Sequence, residues 1–315
     1  MEKTSTENFN SIVLSGGGIR GIIQLGHLHQ YIDQGKLNLD QINDYSGVSV
    51  GSIICTLLLI GYTPVELFGE VEGMDKFIDY KHINPFGLFE TFGMLSMSKI
   101  LSKVETLIIN KLKDKYGIKI NPTFKELYEL TNKHLYVTVT NASKMRKEVM
   151  SHISKPNVKI IDALHMSCLV PFVFESMIYD GDYYVDGGLM DNFPITSIPD
   201  WKNKNVFGII VYGSLPEENE VKLSVTSYIH RLILLPITSI TETNYELARL
   251  LCNKGSYITR IRFDGIPIVD FSVAKNRKMQ LFLVGYEFID DENKKYNKPD
   301  DEENMKKTDG WDVDF

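Results

Sequence analysis

Apolar residues in this chain alternate between short unbroken runs and three-to-four-residue spacings. The run over residues 11–15 ends at three glycines, Gly16, Gly17 and Gly18, which predicts a buried strand and then a turn. Ile22, Leu25, Leu28, His29 and Ile32 share one helical face, so a helix is expected over about 19–34, stopped at Gly35. A second strand is expected over 42–46. An almost wholly apolar helix follows over 52–59, closed by Gly61 and Pro64. Helical spacing returns over 97–115. Another helix opens at Thr123, where Glu126 three residues on completes a capping box. Helices are also expected from 160 to 165, over 224–252 with an interruption at Pro236, and over 273–288. Strands are expected over 134–141, 183–185, 206–212 and 257–263. This alternation implies an α/β fold with a mainly parallel, helix-covered sheet.

A chain of 315 residues has ample core for such a fold. A single domain is expected over 9–288, and the mixed-charge stretch 289–315 reads as a disordered polar tail. The net charge of −7 gives no electrostatic support to a nucleic-acid partner. It also gives no general attraction to anionic lipid, so any membrane contact would rely on apolar loops or local basic patches. Cys55, Cys168 and Cys252 lie far apart in apolar surroundings, as reduced core thiols do. Residues 1–10 lack the apolar stretch of a signal peptide, and the longest apolar run, 53–60, is too short to span a bilayer. A cytoplasmic location is therefore expected, with peripheral membrane contact open.

Three Gly-rich segments carry the candidate chemistry. Gly16-Gly17-Gly18-Ile19-Arg20-Gly21 lies between a strand and a helix. It fits a dinucleotide fingerprint, with Asp40 at roughly the distance of the ribose-binding acid, although residues 37–41 make a weak strand. It fits better an oxyanion hole of glycine N–H groups at a positive helix end, with Arg20 and Gly21 supporting the loop; a plain structural turn is the third reading. Gly47-Val48-Ser49-Val50-Gly51 reads as a strand–turn–helix elbow that exposes Ser49, with Gly47 and Gly51 allowing the sharp bend. Asp186-Gly187-Gly188 places a carboxylate at a strand end. A histidine base would have to lie beyond the acid in the usual hydrolase order. Only His230 does, on an apolar helical stretch where a packing role is the commoner one.

Taken together, these segments resemble the patatin-like phospholipase family, whose pattern is a G-G-G-x-R-G loop, a G-x-S-x-G elbow and a D-G-G/A turn in that order. Thr123-Phe124-Lys125-Glu126-Leu127 resembles the family's T-F-x-[DE]-L helix start. Residues 166–172 look like part of its A-S-x-A-x-P-x-x-F segment, departing at small-residue positions. Asp186 to Pro194, with Asn192, looks like its D-G-G-x-x-x-N-x-P. The resemblance covers about 9–288. It implies a three-layer α/β/α fold and hydrolysis of acyl esters, mostly of phospholipids, by a Ser–Asp dyad without histidine, metal or cofactor. Ser49 would be the nucleophile and Asp186 the general base; Gly16, Gly17 and Gly18 would form the oxyanion hole. For the lipid, residues 85–97 suit an acyl-chain wall, an interfacial loop or ordinary core. Lys99, Lys103, Lys111, Lys113 and Lys115 suit either lipid phosphates or a solvated helix face. Two other readings predict different behaviour. A nucleotide-binding oxidoreductase would use Gly16 to Gly21 and ignore Ser49, whereas an inactive lipid-binding protein would keep the lipid and lose the chemistry.

Overall fold

The computed structural model of the chain describes residues 8–71, 87–213, 225–264 and 273–290. The strands are β1 (Ser11–Leu14), β2 (Asp44–Val48), β3 (His134–Asn141), β4 (Arg146–Met150), β5 (Met177–Tyr179), β6 (Asp182–Asp186), β7 (Val206–Tyr212) and β8 (Tyr257–Arg262). They form one sheet in the order β5-β6-β3-β2-β1-β7-β8, with β4 also paired to β3. From β3 through β2, β1 and β7 to β8 every pairing is parallel, whereas β4, β5 and β6 join antiparallel at the other side. The helices are α1 (Gly21–Asp33), α2 (Val50–Ile60), α3 (Pro64–Val71), α4 (Gly87–Glu90), α5 (Ser98–Tyr116), α6 (Phe124–Thr131), α7 (Ile160–Ser167), α8 (Val225–Leu251) and α9 (Lys275–Tyr286).

Central strands are covered on both faces, which is why β1 and β7 read as unbroken apolar runs. Successive side chains alternate between two layers. Ile12, Leu14, Phe207, Ile209 and Val211 enter the larger core beneath α1, α2, α5, α7 and α9. Val13, Val206 and Ile210 enter a smaller one with Phe193, Trp201 and Tyr245 of α8. His27 of α1 sits in the large core between the Gly285 carbonyl, 3.2 Å from Nδ1, and the Tyr257 hydroxyl, 3.1 Å from Nε2. Burial pushes its pKa down to about 4, so this imidazole is a neutral packing element.

Several elements differ from the expected ones. β2 lies two residues further along, at Asp44–Val48, because its pairing with β1 and β3 extends to the elbow itself. Pro64 opens α3 rather than only closing α2; proline suits a first helical turn, where its missing N–H has no partner to lose. β4 and β5 carry mixed exposed and half-buried residues, so their apolar signal is weak. α8 runs through Pro236 without a break. The capping box at Thr123 is closed in both directions. Residues 291–315, most of the expected tail, lie outside the described residues.

Candidate active site

β3 lies between β2 and β6, and its register brings the second and third glycine segments together. Val48 pairs with Thr138 and Asp186 with Val139, so the two strand ends reach the same level of the sheet, two strand spacings or roughly 10 Å apart. Ser49 then leaves β2 and turns into α2. The elbow needs the backbones of β1, β2 and α2 in near contact. A Cβ on Gly51 would lie 2.5 Å from the carbonyl oxygens of Leu14 and Ser15, and one on Gly47 would lie 2.6 Å from the Gly51 carbonyl. No side chain fits at either position.

Ser49 itself has φ 52° and ψ −132°, a conformation that L residues with side chains rarely adopt. Such strain, of order 1–3 kcal/mol, persists only where neighbours over-determine it. Here they do. The Ser49 N–H donates to Ser167 Oγ at 2.8 Å, and Ser167 Oγ donates in turn to the Thr138 carbonyl at 2.7 Å. The Ser49 carbonyl accepts from Ser52 N at 2.9 Å and from Ser52 Oγ at 2.6 Å. Ser167 is fully buried at the end of α7. Its role was invisible in the sequence beyond its place in a family-like segment.

Asp186 is 6% exposed. Its Oδ1 accepts from the Gly188 N–H at 2.7 Å, and its main chain is fixed by Asp186 N to the Leu169 carbonyl and by Thr140 Oγ1 to its own carbonyl. Oδ2 is buried without a hydrogen-bond partner among the described residues. Burial raises the carboxyl pKa to about 6, against the Gly188 N–H and the nearby Ser49 hydroxyl, which lower it. The serine is therefore within electrostatic reach of the carboxyl while Oδ2 stays unpaired. Among the described residues, no imidazole is one of the groups acting on Asp186. His230 lies on α8, and its side chain is outside the described residues.

The first glycine segment closes the site from the β1 side. A Cβ on Gly16 would lie 3.2 Å from Ser49 Cβ and 2.5 Å from Asn192 Oδ1; one on Gly188 would lie 2.9 Å from the same Asn192 oxygen. Asn192 is thus the piece between the glycine loop and the Asp186-Gly187-Gly188 turn. Among the described residues, the N–H groups of Gly16, Gly17 and Gly18 donate to no acceptor. Gly18 has φ 55°, and it opens the single 3-10 turn that leads through Arg20 into Gly21, the first residue of α1. The Arg20 guanidinium packs on Gly213 beside the Phe263 carbonyl, which ties the loop to the ends of β7 and β8. Gly187 and Gly188 form the turn that aims the carboxyl.

A cavity of about 110 Å³ starts at Ser49 and Gly18 and runs along α2. Ile22 and Leu25 of α1, Ile54 and Leu57 of α2, and Val104 and Leu107 of α5 wall it. From Ser49 to Leu57 the helix rises about 12 Å. Met97, from the aromatic and methionine segment, lines it as well, whereas Phe92 is exposed; Pro85 and Phe86 lie outside the described residues. Lys103 pairs with Glu70 at 2.5 Å and Lys111 with Glu66 at 3.2 Å, so these two lysines clasp α5 to α3. Asp40, the acid of the dinucleotide reading, is in an exposed 3-10 turn before β2, at the opposite end of that strand from the glycine loop. A ribose-binding acid would follow a strand instead.

The family model for patatin-like phospholipases matches residues 12–198, which hold all three glycine segments. The chain belongs to the patatin-like phospholipase family. A probable lipid hydrolase of Invertebrate iridescent virus 6 is 34% identical over 62% of this chain and 65% of its own length. An uncharacterized protein of Acanthamoeba polyphaga mimivirus is 32% identical over 82% of this chain and 81% of its own. The chain thus spans just under two thirds of the iridescent virus protein. In fold, this patatin-like chain is similar to VipD from Legionella pneumophila, with a TM-score of 0.53 at 16% identity, over 89% of this chain and 66% of that one.

Proposed function

We infer that the protein is a lipid acyl hydrolase of phospholipase A or lysophospholipase type, working through Ser49 and Asp186. The observation that carries this is the state of Asp186: buried, held by one oxygen, with the other unpaired beside the strained serine. An ordinary aspartate is too weak a base for a serine hydroxyl, but desolvation raises this one to about 6, near a working pH.

Ser49 Oγ attacks the ester carbonyl and its proton passes to Asp186 Oδ2. The tetrahedral oxyanion is held by the free glycine N–H groups at the head of α1, an arrangement that typically supplies several kcal/mol. Collapse breaks the ester C–O bond; the departing alkoxide takes the proton from Asp186 and leaves as the alcohol, or lysolipid. Water then attacks the acyl-Ser49 ester, giving its proton to Asp186. The second collapse frees the fatty acid and returns that proton to Ser49. The apolar cavity along α2 takes the acyl chain. The scheme uses no metal or cofactor, so EDTA leaves turnover unchanged.

The test is fatty-acid release from phospholipid, lysophospholipid and triacylglycerol by the wild type, Ser49→Ala and Asp186→Asn. Release from a phospholipid or lysophospholipid that is lost in both variants supports the reading. Release that survives Ser49→Ala overturns it, as does a strict preference for triacylglycerol for the phospholipase part.

A further inference from the structure

α8 is a helix of two unlike halves. Its C-terminal half packs on the sheet: Thr241, Tyr245 and Ala248 are buried at helical spacing. Asn244 Nδ2 donates to Asp191 Oδ1 at 2.8 Å, and Arg260 of β8 grips both oxygens of Glu242 at 2.7 and 2.8 Å. Before Thr241 none of the described side chains of α8 is buried. The exposed stripe there is apolar: Tyr228 is 54% exposed, Leu232 47% and Leu235 59%. A surface helix ordinarily turns such residues inward and shows water a polar face.

The direction of this half matters. α8 ends just before β8, and β8 runs parallel to β1 and β2 through β7. The start of α8 therefore points the same way as the C-terminal ends of β1 and β2, where Gly16 and Ser49 lie. Residues 225–240 extend roughly 24 Å beyond Thr241, the first buried residue of the packed half. Exposed Met190, just after the Asp186 turn, Tyr212, at the end of β7, and Phe172 add apolar surface. Residues 225–240 of α8 contain one cation, Arg231, and no acid, in a chain of net charge −7. An apolar helix stripe free of acids suits a lipid surface. Among the described residues no helix is long and apolar enough to cross a membrane.

We propose that the N-terminal half of α8 lies in the surface of a lipid bilayer, with Tyr228, Leu232 and Leu235 at headgroup depth, and that it brings the active-site end of the sheet to its lipid. The proposal rests on the lipid-hydrolase reading, but its test separates the two. Full-length Ser49→Ala protein, which cannot consume the bilayer, is floated with phosphatidylcholine vesicles containing phosphatidylserine. Adding Leu232→Glu and Leu235→Glu is expected to weaken binding by about tenfold or more. Leu250→Glu, an exposed leucine at the packed end of the same helix, is expected to leave it unchanged. In the otherwise wild-type protein, the double glutamate variant is expected to hydrolyse a short water-soluble ester normally and vesicle phospholipid slowly. Unchanged vesicle binding overturns the proposal. So does an equal loss with Leu250→Glu, or a dimer that the double variant dissolves while vesicle binding persists. If the wild type fails on the soluble ester, the hydrolase reading falls, and flotation still decides the surface.

Discussion

Replacing Asp186 by Asn should stabilise the protein while disabling it. The native carboxyl titrates near 6, against 3.8 for an ordinary aspartate, because burial penalises its charge. Below about pH 3 both folded and unfolded chains hold the proton, and the group is neutral to stability. As pH rises toward 6 the unfolded chain ionises first, the native state binds more protons, and unfolding becomes easier. Above about 6.5 the penalty is complete. The rise from 3.8 to about 6 corresponds to about 3 kcal/mol at about 1.36 kcal/mol per pKa unit. Asn removes the charge, and its side-chain carbonyl can still accept the Gly188 N–H. Urea denaturation at pH 8 should show Asp186→Asn more stable by about 2–3 kcal/mol, or roughly 5 °C in Tm, with the gain fading to nothing by about pH 3. Ester hydrolysis should fall about 10²–10⁴-fold, the usual worth of a general base. A variant no more stable than wild type at pH 8, or a gain undiminished at about pH 3, refutes the claim that Asp186 is held at a folding cost.

Other outcomes follow from the same geometry. Wild-type kcat/KM should climb with pH through about 6 and then level, since Asp186 acts as the carboxylate; a flat profile between pH 5 and 7 contradicts this. Ser167→Ala removes the acceptor of the Ser49 N–H, so stability should drop by about 1–3 kcal/mol and kcat more than KM, read by denaturation and steady-state kinetics. Gly51→Ala drives a methyl into the Leu14 and Ser15 carbonyls, and little folded protein should survive purification. Leu57→Trp fills the far end of the cavity, so long-chain esters should lose at least about tenfold in kcat/KM relative to short ones in a chain-length series.

What the chain reveals in sequence is unequal, for physical reasons. β3 and β7 have the expected bounds because both are buried on both faces, β3 through β-branched residues such as Val137, Thr138, Val139 and Thr140, and both end where pairing ends. β4 and β5, half exposed and only five and three residues long, leave little periodic signal. The three glycine segments were legible because close backbone approach allows no other residue at Gly47 or Gly51. That these segments meet depends on β3 standing between β2 and β6, a long-range pairing that no local pattern encodes. Ser167 and Asn192 were legible only as members of family-like segments, because a lone serine or asparagine shows what it contacts only once the elements around it are placed. The helix before Pro236 read as an apolar helical stretch, and only the structure shows that Tyr228, Leu232 and Leu235 stand exposed on it.

The central claim is that Ser49 is a nucleophile activated by Asp186. A fluorophosphonate probe followed by peptide mapping tests it most directly. One adduct on Ser49 is expected in the wild type, with a labelling rate that rises through pH 6, sharply slower labelling in Asp186→Asn, and none in Ser49→Ala. An adduct on any other residue, or a rate indifferent to Asp186, contradicts it.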